Sequence, residues 1–215
     1  MDPQAIDAAA FESVEYPDDR IDDVLSCETD TERRLLLTHG AAHGSDREVV
    51  DGSISVVNAL IDRLGSLDAV SADAVRSYYT DLYETTMVEG GFVHYLAVSG
   101  WRPEVTDAVL QGLRLMGADA HLAALREAIG EFEAQTPRTR RLVVEQGNDE
   151  VFTASDAQFE AAQDAQPILA ANARWLRDHP ALDVVGDASL DTALDIIVGA
   201  EPTPEPDPAL LRWKA

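Results

Sequence analysis

ADAVRSYYTDLYETTMVEGGFVHYLAVSGWRPEVTDAVLQGLRLMG, residues 72–117, decides the fold class. Val75, Tyr78, Tyr79, Leu82 and Tyr83 recur three and four residues apart, the spacing that gathers side chains on one face of an α-helix. Ser71-Ala72-Asp73 gives that helix a polar start, and Gly90-Gly91 after Glu89 breaks it. Phe92, Tyr95 and Leu96 make a shorter apolar segment that ends at Ser99-Gly100. Pro103 suits the first turn of another helix, with Val105, Val109, Leu110, Leu113 and Met116 inward and Gly117 as its stop. Alternation of period two, the mark of a half-buried strand, is almost absent, so the pattern predicts an all-α protein.

The same reading extends in both directions. Val56, Val57, Leu60, Ile61 and Leu64 predict a helix opened by Ser53 or Asp51 and closed by Gly65. Thr31 is a predicted cap for a helix over Glu32–Leu37 that stops in His39–Gly44. Residues 1–30 read as a short helix with Ala8, Ala9, Phe11 and Val14 on one side, then an acidic turn at Pro17-Asp18-Asp19. Downstream, residues 119–134 carry Leu122, Leu125, Ile129 and Phe132 at helical spacing, and Pro137 ends that run. Leu142-Val143-Val144 reads as a short strand or a helix start. Residues 155–177 predict a long helix interrupted at Pro167, and Asp187–Val198 a last one. Glu201–Pro208 is polyproline-like. The predicted whole is a single-domain bundle of seven to nine helices over 31–199, with an acidic arm at 1–30 and a proline-rich tail at 200–215.

Charge narrows the function. Forty acidic residues face sixteen basic ones, a net charge of -24, and Lys214 is the one lysine. Direct binding to DNA, RNA or an anionic membrane is excluded, because neutralising phosphates needs a basic face. Two explanations of the acidity compete: adaptation to a salty cell interior, with Asp outnumbering Glu 24 to 16, and an anionic surface made for a basic partner. The chain opens with neither the basic start nor the apolar run of a secretory signal, and no stretch has membrane-spanning length. A cytoplasmic protein is expected.

Few residues suggest chemistry. His39 and His43 are four apart, a metal-ligand spacing on a helix, but Gly40 and Gly44 oppose a regular helix there. Cys27, the single cysteine, sits in an acidic block that blunts a thiolate. His94 reads as a core or interface histidine, and His121 and His179 as helix-end residues without special role. Arg138, Arg140 and Arg141 read as neutralising the protein's own acidic helices. Nucleophile elbows, phosphate loops and dinucleotide fingerprints are missing from the sequence, so neither catalytic residue nor cofactor is assigned. Gly90, Gly91, Phe92, Tyr95 and Gly117 are read as structural, the glycines for packing and positive φ and the aromatics for the core. Asp187, Asp191 and Asp195, and Asp18, Asp19, Asp22 and Asp23, form rows with helical spacing and are the candidate partner-binding carboxylates.

Glu89-Gly90-Gly91-Phe92-Val93-His94-Tyr95-Leu96, Ser99-Gly100, and Leu110 to Gly117-Ala118 together resemble a mostly uncharacterised all-helical family. Its landmark is Gly-Gly-Phe-x-x-Tyr followed by an amphipathic helix ending in a Gly-Ala turn. It is named after the C-terminal domain of a bacterial DNA-mimic protein, and the resemblance covers roughly residues 50–135. What it implies is a protein that presents carboxylates in place of DNA phosphates and captures a basic, DNA-binding regulator. A homodimer would lengthen the aspartate rows into a longer rod. The expected function is therefore a non-enzymatic acidic interaction module. The alternatives are a metal-dependent enzyme using the His39/His43 turn, or a salt-adapted scaffold whose acidity serves solubility.

Overall fold

A computed structural model describes residues 18–65, 70–147 and 150–199. The N-terminal helix expected within residues 1–17 and the proline-rich tail lie outside these. Among the described residues the chain forms α1 (Asp18–Leu25), β1 (Leu35–Thr38), α2 (His39–Ala42), α3 (Asp46–Leu64), α4 (Ala72–Ser99), α5 (Pro103–Leu115), α6 (Asp119–Glu133), α7 (Pro137–Gln146), α8 (Thr153–Ala165), α9 (Ile168–Arg177), β2 (Leu182–Val185) and α10 (Leu190–Val198). Short 3-10 turns precede α8 and α10. The helical class is as the sequence predicts.

The chain divides into two compact units, one of residues up to Glu28 with Tyr79–Ala171, the other of Thr29–Tyr78 with Asn172 onward. In the first, an aromatic core gathers Tyr83, Phe92, Tyr95, Trp101, Phe132 and Phe152, each no more than 1% exposed. Ile21 of α1 joins this core. Trp101 keeps a positive φ of 52°, a conformation that costs a bulky residue about 1–3 kcal/mol. Its indole meets Phe92 and Phe132 edge-on at 6.3 and 4.8 Å, contacts that offset the strain.

Two buried polar residues lock helix ends in this unit. Arg140 donates to the carbonyls of Phe132, Glu133 and Gln135 and pairs with the Glu133 carboxylate, so a buried cation closes the C-terminus of α6. Its neighbour Arg141 pairs with Glu145. His121, at the start of α6, is fully buried and donates from Nε2 to the Gln166 carbonyl at 2.9 Å. The Leu142-Val143-Val144 ambiguity resolves to helix, because Thr136 caps α7 and Pro137 occupies its first turn.

The second unit corrects the sequence reading in two places. Leu35–Thr38 is a strand, not the end of a helix, and pairs in parallel with Leu182–Val185, Leu35 opposite Leu182 and Thr38 opposite Val185. Leu35, Leu36 and Leu37 are all buried, as in strands covered on both faces, which read as unbroken apolar runs. Ser45 caps α3 in a capping box with Glu48, so that helix starts at Asp46 rather than near Ser53, and left-handed Gly65 ends it. Asp73 is buried and accepts from the Asp30 amide (2.7 Å), Arg76 (2.5 Å) and His179 Nε2 (2.8 Å). The Ala181 amide donates to His179 Nδ1, which assigns the ring proton to Nε2. Burial opposes ionisation of Asp30, but hydrogen bonds from the Ala72, Arg33 and Glu32 amides and from Ser71 outweigh it and hold the carboxyl below its usual range.

His121 sets a pH dependence. Burial lowers its pKa from the ordinary 6.5, the Gln166 hydrogen bond opposing only in part. The unfolded chain therefore takes the proton first. Stability is complete above pH 6.5 and is lost as pH falls below it toward the depressed folded value. Denaturant titrations from pH 7.5 to 5.5 are expected to show this loss in the wild type and a flatter profile in His121→Gln; identical slopes would contradict it.

Candidate functional site

The Gly-Gly landmark is a break inside α4. Gly91 has φ 67° and ψ -166°, a region essentially closed to residues with a Cβ. A Cβ there would also stand 2.6 Å from Asp156 Oδ2, and one on Gly90 would stand 2.9 Å from the His94 Cβ. With the helical ladder interrupted, the Phe92 amide is left as an N-terminal donor of the resumed helix. Asp156, from the first turn of α8, accepts it through Oδ1 at 2.9 Å. A carboxylate at that position also suits the helix dipole. Phe92 and Tyr95 then enter the core, where the Tyr95 hydroxyl meets Thr106 at 3.2 Å. Burial pushes both the Tyr83 and Tyr95 phenols far above their usual range, so both stay neutral.

Beside this break lies a cleft of about 540 Å³. Glu89 borders it from α4; Asp156, Glu160 and Asp164 border it from α8. Those three α8 acids are spaced by four, so they share one face, where like charges repel by about 0.2–0.5 kcal/mol per pair. Val88 and Phe159 supply apolar wall, and no arginine, lysine or histidine is among its lining residues. Gln163, also in the wall, donates to the buried Glu84.

Sequence similarity places the cleft. The model of the DMP19-like protein family matches residues 68–179, just over half of the chain. The chain belongs to this family. It is the family of the DNA-mimic protein that the Gly-Gly-Phe segment resembles, and the match begins and ends further along the chain than that resemblance. No curated protein and no solved structure matches the chain. The DMP19-like region holds both walls of the cleft, whereas both acidic rows singled out in the sequence lie outside it.

Those rows are placed as follows. Asp18, Asp19, Asp22 and Asp23 are all in α1; Asp22 is exposed and faces Arg126 at 3.8 Å, and Asp23 is exposed. Asp187, in the turn before α10, accepts the Gly40 amide at 3.1 Å and a bond from Thr38, which together hold its carboxyl below the usual range. Asp191 and Asp195 both reach Arg63, at 2.9 and 3.6 Å. The Asp187–Asp195 row is thus partly engaged within its own unit. Gly117 ends α5 with φ 67°.

The histidines sort differently from the sequence reading. His39 and His43 are exposed and stack at 4.3 Å, and His43 Nδ1 donates to the His39 carbonyl at 3.0 Å. Among the described residues no three His, Cys, Asp or Glu converge as metal ligands. His94, read as a core or interface residue, is 40% exposed and lies 3.4 Å from Glu89 at the mouth of the break. Cys27 is half-buried, and its carbonyl accepts from Arg114. Asp156 escapes sequence reasoning altogether, because 64 residues separate it from the amide it caps.

Gly91→Ala is expected to destabilise the protein by about 3 kcal/mol, combining backbone strain with the Asp156 collision. Gly117→Ala shares the positive φ but meets nothing within 4 Å, so it is expected to lose only about 1 kcal/mol. Equal midpoints in urea for the two variants would show that the Asp156 contact contributes nothing.

Proposed function

We propose that this DMP19-like protein is a non-enzymatic, acidic interaction module that binds a basic DNA-binding protein in place of DNA. Membership of the family points to that class of activity. The observation that carries the reading is the charge surplus. If every one of the sixteen basic side chains neutralised an acid, twenty-four of the forty carboxylates would still lack a cation of their own chain. Such a surface steers cationic partners from a distance and repels nucleic acid itself. Selectivity then falls to short-range shape and apolar contact. Among the described residues no helix is long and apolar enough to cross a membrane.

Salt separates this reading from acidity that serves solubility alone. At 1 M salt the screening length shrinks to about 3 Å, and the long-range attraction vanishes. With the purified protein as bait in host lysate, the expected catch at low salt is a small set of basic DNA-binding proteins, released both by rising salt and by competing duplex DNA. Recovery of nothing, or of every basic protein alike with no response to duplex, contradicts the proposal.

A further inference from the structure

Resting on that reading of the protein, we propose that the cleft beside Gly90-Gly91 is the seat for an arginine side chain projected by the basic partner. The cleft joins two properties that an arginine needs together. Val88 is 66% exposed on α4, and Phe159 continues the apolar wall. An arginine stem covers such a surface while its head stays polar. Around the apolar wall stand Glu89, Asp156, Glu160 and Asp164. Asp156 is already engaged by the Phe92 amide, which leaves acceptors on both sides of the cleft, Glu89 from α4 and Glu160 and Asp164 from α8.

Charge complementarity selects the occupant. Several carboxylates elsewhere have an arginine from their own chain: Asp191 and Asp195 have Arg63, Asp46 has Arg177, Asp183 has Arg34. The cleft has no arginine or lysine among its lining residues, and of its acids Glu89 meets only the half-exposed His94 imidazole, at 3.4 Å. Its α8 acids repel one another along a single face, and a cation from outside relieves that repulsion. A small metal ion fits poorly, because among the described residues the carboxylates do not converge in a ligand group. A guanidinium is wider, planar and carries five donors, so it spans separated carboxylates where a point charge cannot. The cleft's volume of about 540 Å³ is ample for one such side chain.

The probe is the tripeptide Ac-Ala-Arg-Ala-amide, titrated at low salt into ¹⁵N-labelled full-length protein, with the citrulline tripeptide as its neutral isostere. Saturable shifts are expected at Gly90, Gly91, Phe92 and the α8 amides, and none with citrulline. The double variant Glu160→Gln/Asp164→Asn should weaken binding by about three- to tenfold. Asp191→Asn/Asp195→Asn removes the same charge and should leave it unchanged. The proposal is overturned if shifts scatter over the acidic surface and both double variants weaken binding alike, or if the cleft amides do not move. Capture of a DNA-releasable basic partner that is indifferent to Glu160→Gln/Asp164→Asn overturns the arginine seat and leaves the interaction module standing.

Discussion

The hydrogen bond from the Phe92 amide to the Asp156 carboxylate, made beside two glycines, is the contact that caps the broken helix α4. It joins the middle of α4 to the first turn of α8 and sets where the helix resumes. From that point Phe92, Tyr95 and Leu96 enter the aromatic core in register with Phe132, Phe152 and Phe159. Gly91 is required by its backbone angles and by the Asp156 carboxylate beside it, Gly90 by the Cβ of His94. The break also borders the cleft, whose lining includes both glycines and Asp156.

A second constraint is how the chain spends its few cations. Arg140 closes α6, Arg177 bonds the Ala42 and Gly44 carbonyls together with Asp46, Arg76 serves buried Asp73, and Arg63 holds α10 through two aspartates. Guanidinium suits this work because one head bonds several acceptors. With the arginines committed inward or to neighbours, the carboxylate surplus remains on the outside. The anionic surface and the closed helix ends are two consequences of one allocation.

How much of this is legible in the sequence follows from the range of each interaction. Helices α4, α5 and α6 are readable because apolar spacing, Pro103 and the glycine stops are local signals. The strand Leu35–Thr38 is not, because its partner lies 147 residues away and three consecutive leucines fit a buried helix as well as a strand covered on both faces. The Gly-Gly break is visible, but its function as a socket for Asp156 is not, since forty acids offer no sign of which one returns to α4. The rows at 18–23 and 187–195 stand out by spacing alone. Spacing cannot tell an aspartate open to a partner from Asp187, which caps a neighbouring turn, or from Asp191 and Asp195, which face Arg63. In the sequence Arg140 reads as neutralising an acidic helix and His121 as a helix-end residue without special role; that both are buried is a tertiary property the sequence does not display.

The most direct measurement of the central contact is hydrogen exchange at the Phe92 amide. In the wild type it should exchange as slowly as the interior amides of α4. In Asp156→Ala it should exchange much faster while the amides of α6 stay protected. A Phe92 amide that exchanges in the wild type at the rate of an open loop would contradict the capping of the broken helix by Asp156.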